Sequence, residues 1–351
     1  MKRLSIIVPT YNMEQLLPAC LDSLVSSSVA SALDVVVVND GSRDSSLEIA
    51  LGYQRRFADV VRVIDKANGN YGSTINAALP TLKGEYVKIL DADDTFDTQA
   101  LEQYIDYLCQ VSGTDMVVGP FIEISRQGTH KVDYDLYHGK HFGYGVPYDA
   151  ERVFEREVIP FFMMHSIAYR TALLQSIGYN QREGISYTDQ QWCFNPIFSV
   201  KNIAFTDIAL YRYNLAREGQ SMDSAVQLRK ISELTTVITD IAQMLDNYSS
   251  GLSADRYAFL ANVVTRRMQT VLRKYLLEMS DSDFEHSDFK ATLETFTRYA
   301  PGRLSVPLNG RLKIDLLAHW QKRGIRYPHY IRQVMVAADN AMQRIYKLIF
   351  G

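Results

Sequence analysis

The feature that most constrains this chain is an alternation, through its first 90 residues, between short apolar runs and stretches of helical period. Leu4 to Val8 is a β-rich run that ends at Pro9. Glu14 to Leu24 then places Leu16, Leu17, Cys20, Leu21 and Leu24 at helical intervals. Val35 to Val38 is a second run, Ser45 to Phe57 a second helix, and Val60 to Ile64 a third run. A loop with Asn68, Gly69, Asn70 and Gly72 leads into a short helix through Asn76 to Leu79, and Tyr86 to Leu90 is a fourth run. Apolar runs this short, bounded by turn residues, fit strands buried on both faces. Strands alternating with helices predict βαβ units in a parallel sheet covered on both sides. Ligands of such sheets bind beyond the carboxyl ends of the strands, so the segments following these runs are where chemistry is expected.

The middle of the chain is mixed. Met116 to Val118, Phe121 to Ile124 and Ile208 to Tyr213 read as strands, and Thr188 to Phe198 as a helix. Residues 128 to 150, rich in Tyr, His and Gly, are expected to form an ordered surface loop. After Ser221 the character changes: Val226 to Leu245, Arg256 to Met279 and Tyr330 to Phe350 are long stretches of helical period. The division expected is an α/β domain over 1–221 and a helical region over 222–351. No internal repeat or low-complexity tract interrupts either part.

Charge and cysteine usage narrow the functional classes. The net charge is −3, which gives no electrostatic reason to expect a nucleic-acid partner. The last 51 residues carry nine Lys or Arg and two Asp, a net +7 against −10 for the preceding 300. Three cysteines far apart (Cys20, Cys109, Cys193) fit reduced thiols in a cytoplasmic protein. The apolar run behind Met1-Lys2-Arg3 ends at Pro9, too early for a signal peptide. No unbroken apolar run of 18 residues occurs, so no membrane-spanning helix is expected.

Three strand ends carry chemistry. Asp91-Ala92-Asp93-Asp94 sets three carboxylates within four residues of a strand end. They repel one another unless a cation compensates them, and hard oxygen donors suit Mg²⁺ or Mn²⁺, which in turn would hold a diphosphate. The plain alternative is a cap for the next helix, since Asp caps well. An EF-hand over Asp91 to Glu102 fails at Phe96, where its turn needs Gly. Asn39-Asp40-Gly41-Ser42 offers an acceptor for a base or ribose, although Asp-Gly is also a common turn pair. Pro9-Thr10-Tyr11-Asn12 places an aromatic where it can stack on a base or simply pack.

The segments Ser5–Asn12, Val37–Ser42, Gly84–Tyr86 and Leu90–Asp94 stand in the order and spacing of glycosyltransferase family 2, which the chain resembles over about residues 3 to 221. The resemblance implies a GT-A fold, a nucleotide-binding α/β sandwich, here with an α-helical C-terminal extension. It implies transfer of a sugar from a nucleotide diphosphate with inversion at the anomeric carbon. By position, Asp40 looks like the residue that reads the base, with Pro9, Thr10 and Tyr11 beside it. Asp91 and Asp93 look like the D-x-D pair for ribose, metal and diphosphate. Tyr187-Thr188-Asp189 resembles the family's later Glu-Asp motif, which makes Asp189 the general base and leaves Thr188 in place of the Glu. The family's Ala-Arg-Asn is Thr74-Ile75-Asn76 here, so the Arg contact is missing while Asn76 stays with the nucleotide contacts. Arg217, in a segment that could fold over the diphosphate, is a phosphate-binding candidate, or part of a plain interdomain loop. His165, within an apolar run, could approach the metal, but a satisfied core histidine is the reading preferred.

The function expected is therefore transfer from a nucleotide diphosphate sugar, a UDP-sugar first, to a saccharide or lipid-linked saccharide acceptor in bacterial surface polysaccharide synthesis. A sugar nucleotidylyltransferase would need a glycine-rich loop after the first strand, where Pro9-Thr10-Tyr11-Asn12 stands. A non-catalytic nucleotide-binding protein of the same fold would be favoured by loss of Asp93 or Asp189, and both are present. The basic C-terminal helix either packs its apolar face on the protein or lies on an anionic membrane. The expected location is thus the cytoplasm, with peripheral contact at the inner membrane face in the second case.

Overall fold

The computed structural model of the protein describes residues 2–133, 142–155, 162–215, 223–308 and 314–338. The chain forms two compact units, Met1–Glu218 and Gly219–Gly351. Arg217 and the segment from Asp339 onward, with Arg344 and Lys347, lie outside the described residues.

The first unit is built on β1 (Leu4–Thr10), β2 (Leu33–Asp40), β3 (Val61–Lys66) and β4 (Tyr86–Ile89). They pair in parallel in the order β3-β2-β1-β4, as the alternation predicts. Every residue of β2 is buried, which its unbroken Val35–Val38 run requires of a strand covered on both faces. Helices α1 (Leu17–Val25) and α2 (Ser46–Arg56) cover one face, packing Leu17, Leu21, Ala50 and Tyr53 against Leu4, Ile6, Val35 and Val37. Helix α3 (Asn70–Ala78) lies on β1 and β2 and buries Ile75 and Ala78. It begins at Asn70, inside the stretch read as loop. After β5 (Thr95–Phe96) comes α4 (Thr98–Gln110), capped by Asp97, whose carboxylate accepts from the N–H groups of Gln99 and Ala100. The cap is therefore Asp97, and Asp91–Asp94 are not spent on that duty.

Beyond β4 the sheet turns mixed. The remaining strands are β6 (Met116–Val118), β7 (Phe121–Ser125), β8 (Gly128–Val132), β9 (Tyr148–Asp149), β10 (Ile167–Arg170), β11 (Asn202–Phe205) and β12 (Tyr211–Asn214). Strand β10 pairs antiparallel with β4, and the sheet continues β10-β6-β11-β9. A second sheet runs β5-β12-β7-β8. The surface loop expected over 128–150 is corrected here. Gly128–Val132 forms a hairpin with β7, and Tyr148–Asp149 pairs with β11, while 134–141 lie outside the described residues. Strand β8 is half exposed along its length, so it has no apolar alternation to betray it. Helices α5 (Ala150–Phe154), α6 (Thr171–Ser176) and α7 (Asp189–Phe194) complete this unit.

The second unit is helical. Helices α8 (Ser224–Arg229) and α9 (Ile231–Tyr248) break at Lys230, and α10 (Ala254–Arg273) runs into a π-turn over Lys274–Glu278. Helices α11 (Asp281–Glu285), α12 (Phe289–Tyr299) and α13 (Leu316–Arg323) follow, and 329–338 are helical. The buried stripes of α9 (Leu234, Val237, Ile241) and α10 (Leu260, Val264, Met268, Val271) form its core with Phe296. Two cations of the basic C-terminal stretch have buried side chains. Arg326 donates to the carbonyls of Tyr275 and Met279, each at 2.9 Å, closing the orphan carbonyls of the helix end. Arg332, also buried, donates to Asp281 at 2.9 Å.

One buried charge staples the parallel sheet. Asp34 on β2 accepts from Arg62 Nε of β3 at 2.8 Å, from Ser5 Oγ of β1 at 2.7 Å and from the Lys83 N–H at 2.9 Å. Burial alone would raise its carboxyl; the hydrogen bonds from Arg62, Ser5 and Lys83 outweigh that and hold it below its ordinary value. A depressed folded-state pKa contributes stability above the unfolded value of about 3.9, lost as pH falls through the folded one. Asp34→Ala should cost about 3 kcal/mol, the scale of breaking a buried pair. Urea unfolding at neutral pH and at about pH 3 checks this: the difference between the two proteins should shrink in acid.

Candidate active site

Strand register assembles the end of the site around Asp40. Thr10 pairs with Asn39, and Asp40 pairs with Lys66. The loops after β1 and β2 are tied together: the Asn12 N–H donates to Ser42 Oγ at 3.0 Å, and the Arg43 N–H to Asn12 Oδ1 at 2.8 Å. Tyr11 is exposed, while Pro9 is half-buried and Thr10 buried, its hydroxyl donating to the Val8 carbonyl at 3.1 Å. Asp40 is buried, and its Oδ1 accepts from Lys66 Nζ (2.8 Å), the Gly69 N–H (2.9 Å) and Ser73 Oγ (3.3 Å). All three fall on one oxygen, so Oδ2 keeps its capacity to accept. Gly41, at φ +73°, is a left-handed turn residue whose Cβ would meet the Asn68 nitrogen at 2.9 Å.

The acidic end is a turn closed by the Asp94 N–H on the Asp91 carbonyl at 2.9 Å. Tyr71 of α3 donates to Asp91 Oδ1 at 2.9 Å. Tyr211 donates to Asp94 Oδ2 at 2.6 Å, and the Asn214 N–H to Asp94 Oδ1 at 2.7 Å. Burial and the charges of Asp94 and Asp93 push the Asp91 carboxyl well above its ordinary value. Burial and the Asp91 charge do the same to the Tyr71 hydroxyl. Asp189 is the first residue of α7 with Thr188 in the capping position, so it is not a cap either. Helix α7 packs against the turn over Met164–Ser166, and the charge of Asp189 at its start raises both Asp91 and Tyr71.

His165 joins this cluster. One donor atom each from Asp91, Asp94 and His165 lies within 4.8 Å of the others. The ring is clamped between aromatic neighbours, stacked on Tyr213 with centroids 4.1 Å apart and edge-on to Tyr211 at 4.7 Å. Its Nδ1 is buried without a hydrogen-bond partner. Burial and the neighbouring Lys88 push it down to about 3, so the imidazole is neutral with a lone pair to give. Lys88 donates to the carbonyls of His165 (2.8 Å) and Ile167 (3.0 Å). Two carboxylates and a neutral imidazole suit a divalent cation such as Mn²⁺ or Mg²⁺. Asp93, half-buried, stands outside the 4.8 Å group, though its charge acts on Asp91.

Asn76 is otherwise engaged. Its amide pairs with the backbone of Gln181, accepting from the N–H at 2.8 Å and donating to the carbonyl at 2.9 Å. The sequence reading passed over Lys66, Tyr71 and Tyr211. Lys66 was accessible from strand register; the tyrosines depend on tertiary placement that no local pattern carries. Ile75, at the family's Arg position, is fully buried in the sheet's cover.

The fold of the first unit is the GT-A fold. A crystal structure of S. aureus TarS 1-349 in complex with UDP-GlcNAc shares the fold, with a TM-score of 0.66 at 22% identity over 86% of this chain and 82% of that one. Residues 5–178 match the family described as glycosyl transferase family 2, and the chain belongs to that family. A glycosyltransferase of Rickettsia prowazekii is 27% identical over 66% of this chain and 69% of its own length. The poly(ribitol-phosphate) beta-glucosyltransferase of Bacillus spizizenii is 33% identical over 37% of this chain, which spans 20% of that protein.

Mn²⁺ titration in the presence of UDP tests the donor set. His165→Gln should weaken Mn²⁺ binding by at least the ~10–100-fold that loss of even an outer-shell partner costs. An unchanged affinity would remove His165 from the site.

Proposed function

We propose that the protein is an inverting glycosyltransferase that moves a sugar from a UDP-sugar to a hydroxyl of a saccharide or lipid-linked saccharide acceptor in bacterial surface-polymer synthesis. The observation that supports this reading is the grouping of Asp91, Asp94 and His165 within 4.8 Å just past β4, with α7, which Asp189 begins, packed against the Met164–Ser166 turn. Asp40 Oδ2 accepts from the base, Tyr11 stacks on it, and Pro9 and Thr10 shape the floor. Arg217 is kept as a phosphate contact. Asp189 accepts the proton of the acceptor hydroxyl as that oxygen attacks the anomeric carbon from the face opposite the diphosphate. The bond from that carbon to the diphosphate oxygen breaks, and the nucleotide diphosphate leaves. Asp91, Asp94 and His165, with Asp93 beside them, would hold a divalent cation, which would supply charge neutralisation of the leaving diphosphate.

The relatives support the choice of substrates to try. One acts by its name on poly(ribitol-phosphate), and the structural neighbour TarS was crystallised with UDP-GlcNAc. UDP-glucose and UDP-GlcNAc should each be offered with Mn²⁺ or Mg²⁺ and a polyol-phosphate acceptor, and the product anomer read by NMR. Asp189→Asn should lower turnover by ~10²–10⁴, the worth of a positioned base, while UDP affinity persists. Normal turnover in that variant would assign the base elsewhere.

We also infer that the C-terminal helix contacts an anionic membrane surface. Tyr330 and Val334 stand exposed one turn apart on 329–338, within the segment of net +7. No helix among the described residues is long and apolar enough to cross a membrane. Each cation near such a surface is worth about 1 kcal/mol, falling with salt. Binding to phosphatidylglycerol vesicles should appear at low salt and vanish at high salt or on truncation before Tyr330. A protein that stays in the supernatant at low salt assigns the helix to packing alone.

A further inference from the structure

We infer that Asn76 and Gly72 of α3 form a latch that sets the position of Asp189, so that one short helix aligns the nucleotide end of the site with the general base. The inference rests on the reading of Asp189 given above. The side-chain amide of Asn76 pairs with both backbone groups of Gln181, in the manner of a neighbouring strand, and its Nδ2 also donates to Glu183 Oε1 at 2.9 Å. One turn earlier, the helix backbone touches the same segment. A Cβ at Gly72 would come 2.2 Å from the Arg182 carbonyl oxygen and 3.0 Å from Gln181 Cβ, so only glycine allows the approach. At the start of the helix the Gly184 N–H donates to the Gly69 carbonyl at 2.8 Å.

The latched segment leads directly to Asp189. The Arg182 N–H donates to Gln191 Oε1 of α7 at 2.8 Å, closing the loop on the helix that Asp189 begins. Tyr187, two residues before Asp189, sits at φ +66°, a left-handed conformation that a non-glycine residue adopts only where its surroundings enforce it. The same α3 reaches the nucleotide end through other residues. Ser73 donates to Asp40 and Tyr71 to Asp91. Asn76 is thus a positioning residue: both N–H groups of its amide are spent on the 181–183 segment.

Asn76→Ala, Gly72→Ala and Glu183→Ala should be compared for turnover and for UDP affinity by calorimetry. A misplacement of about 1 Å can cost ~10²-fold in rate. Asn76→Ala and Gly72→Ala should therefore lose about that much kcat while binding UDP as the parent does, which also certifies their fold. Glu183→Ala, which removes only the exposed partner, should stay near the parent. In an Asp189→Asn background Asn76→Ala should remove nothing further, because it acts through Asp189. Asn76→Asp, which keeps the volume and the acceptor for the Gln181 N–H, provides the same comparison should the alanine variant not fold. The latch is overturned by undiminished kcat in these variants, by a UDP affinity that falls in step with kcat, or by an additive double variant. If instead Asp189→Asn alone keeps full turnover, the reading of the base fails and not the contact between α3 and 181–184.

Discussion

Carboxylate crowding is the constraint on which the site depends. Asp91, Asp93 and Asp94 follow β4 within five residues, Asp189 acts on Asp91 from α7, and much of this surface is removed from water. Like charges at such range in a poorly solvated place cannot all stay ionised without compensation. The protein supplies part of it as neutral donors: Tyr71 to Asp91, and Tyr211 with the Asn214 N–H to Asp94. Burial and the neighbouring carboxylates push both tyrosine hydroxyls up, so they remain donors. The remaining demand is for positive charge, which a divalent cation would meet at the point where a diphosphate would bring still more negative charge.

The same economy governs the nucleotide end with the opposite solution. Asp40 is as buried as Asp94, but a fixed ammonium answers it: Lys66 reaches it across one strand pairing, at 2.8 Å. The loss of the family's Arg at Ile75 therefore does not leave this end without a cation. Ile75 serves the apolar cover of the sheet. Lys66 Nζ also donates to Ser73 Oγ and the Ala67 carbonyl, so its charge is held on the protein and orients Asp40.

What the sequence made legible follows from the range of the forces involved. Strands β1 to β4 were readable because burial on both faces needs unbroken apolar runs, and their parallel pairing because helices separate them. Strands β10 and β11, four residues each, were not, since β10 is pinned to β4 and β6 by pairings that leave no local period. Asp40, Asp91 and Asp189 were accessible as motif positions. His165 was weighed as a core residue, and it is one: buried and stacked on Tyr213. Its place beside Asp91 comes from the antiparallel pairing of β10 with β4, a long-range contact. The basic tail shows the converse, because charge counting treats every cation as solvated, whereas Arg326 and Arg332 are spent on carbonyls and Asp281 inside the helical unit.

Glycine carries information here that motif reading did not extract. The stretch with Asn68, Gly69, Asn70 and Gly72 reads as a loop, yet residues from Asn70 on form a helix. Gly72 inside it costs about 1 kcal/mol of helix propensity relative to Ala. That cost has a counterpart in the 181–184 segment, which a side chain would displace. A glycine that weakens its own helix but admits a neighbouring backbone marks a contact between two parts of the chain far apart in sequence. Asp189 lies five residues past the segment so admitted, so its position depends as much on the absence of a methyl group at 72 as on any residue of its own motif.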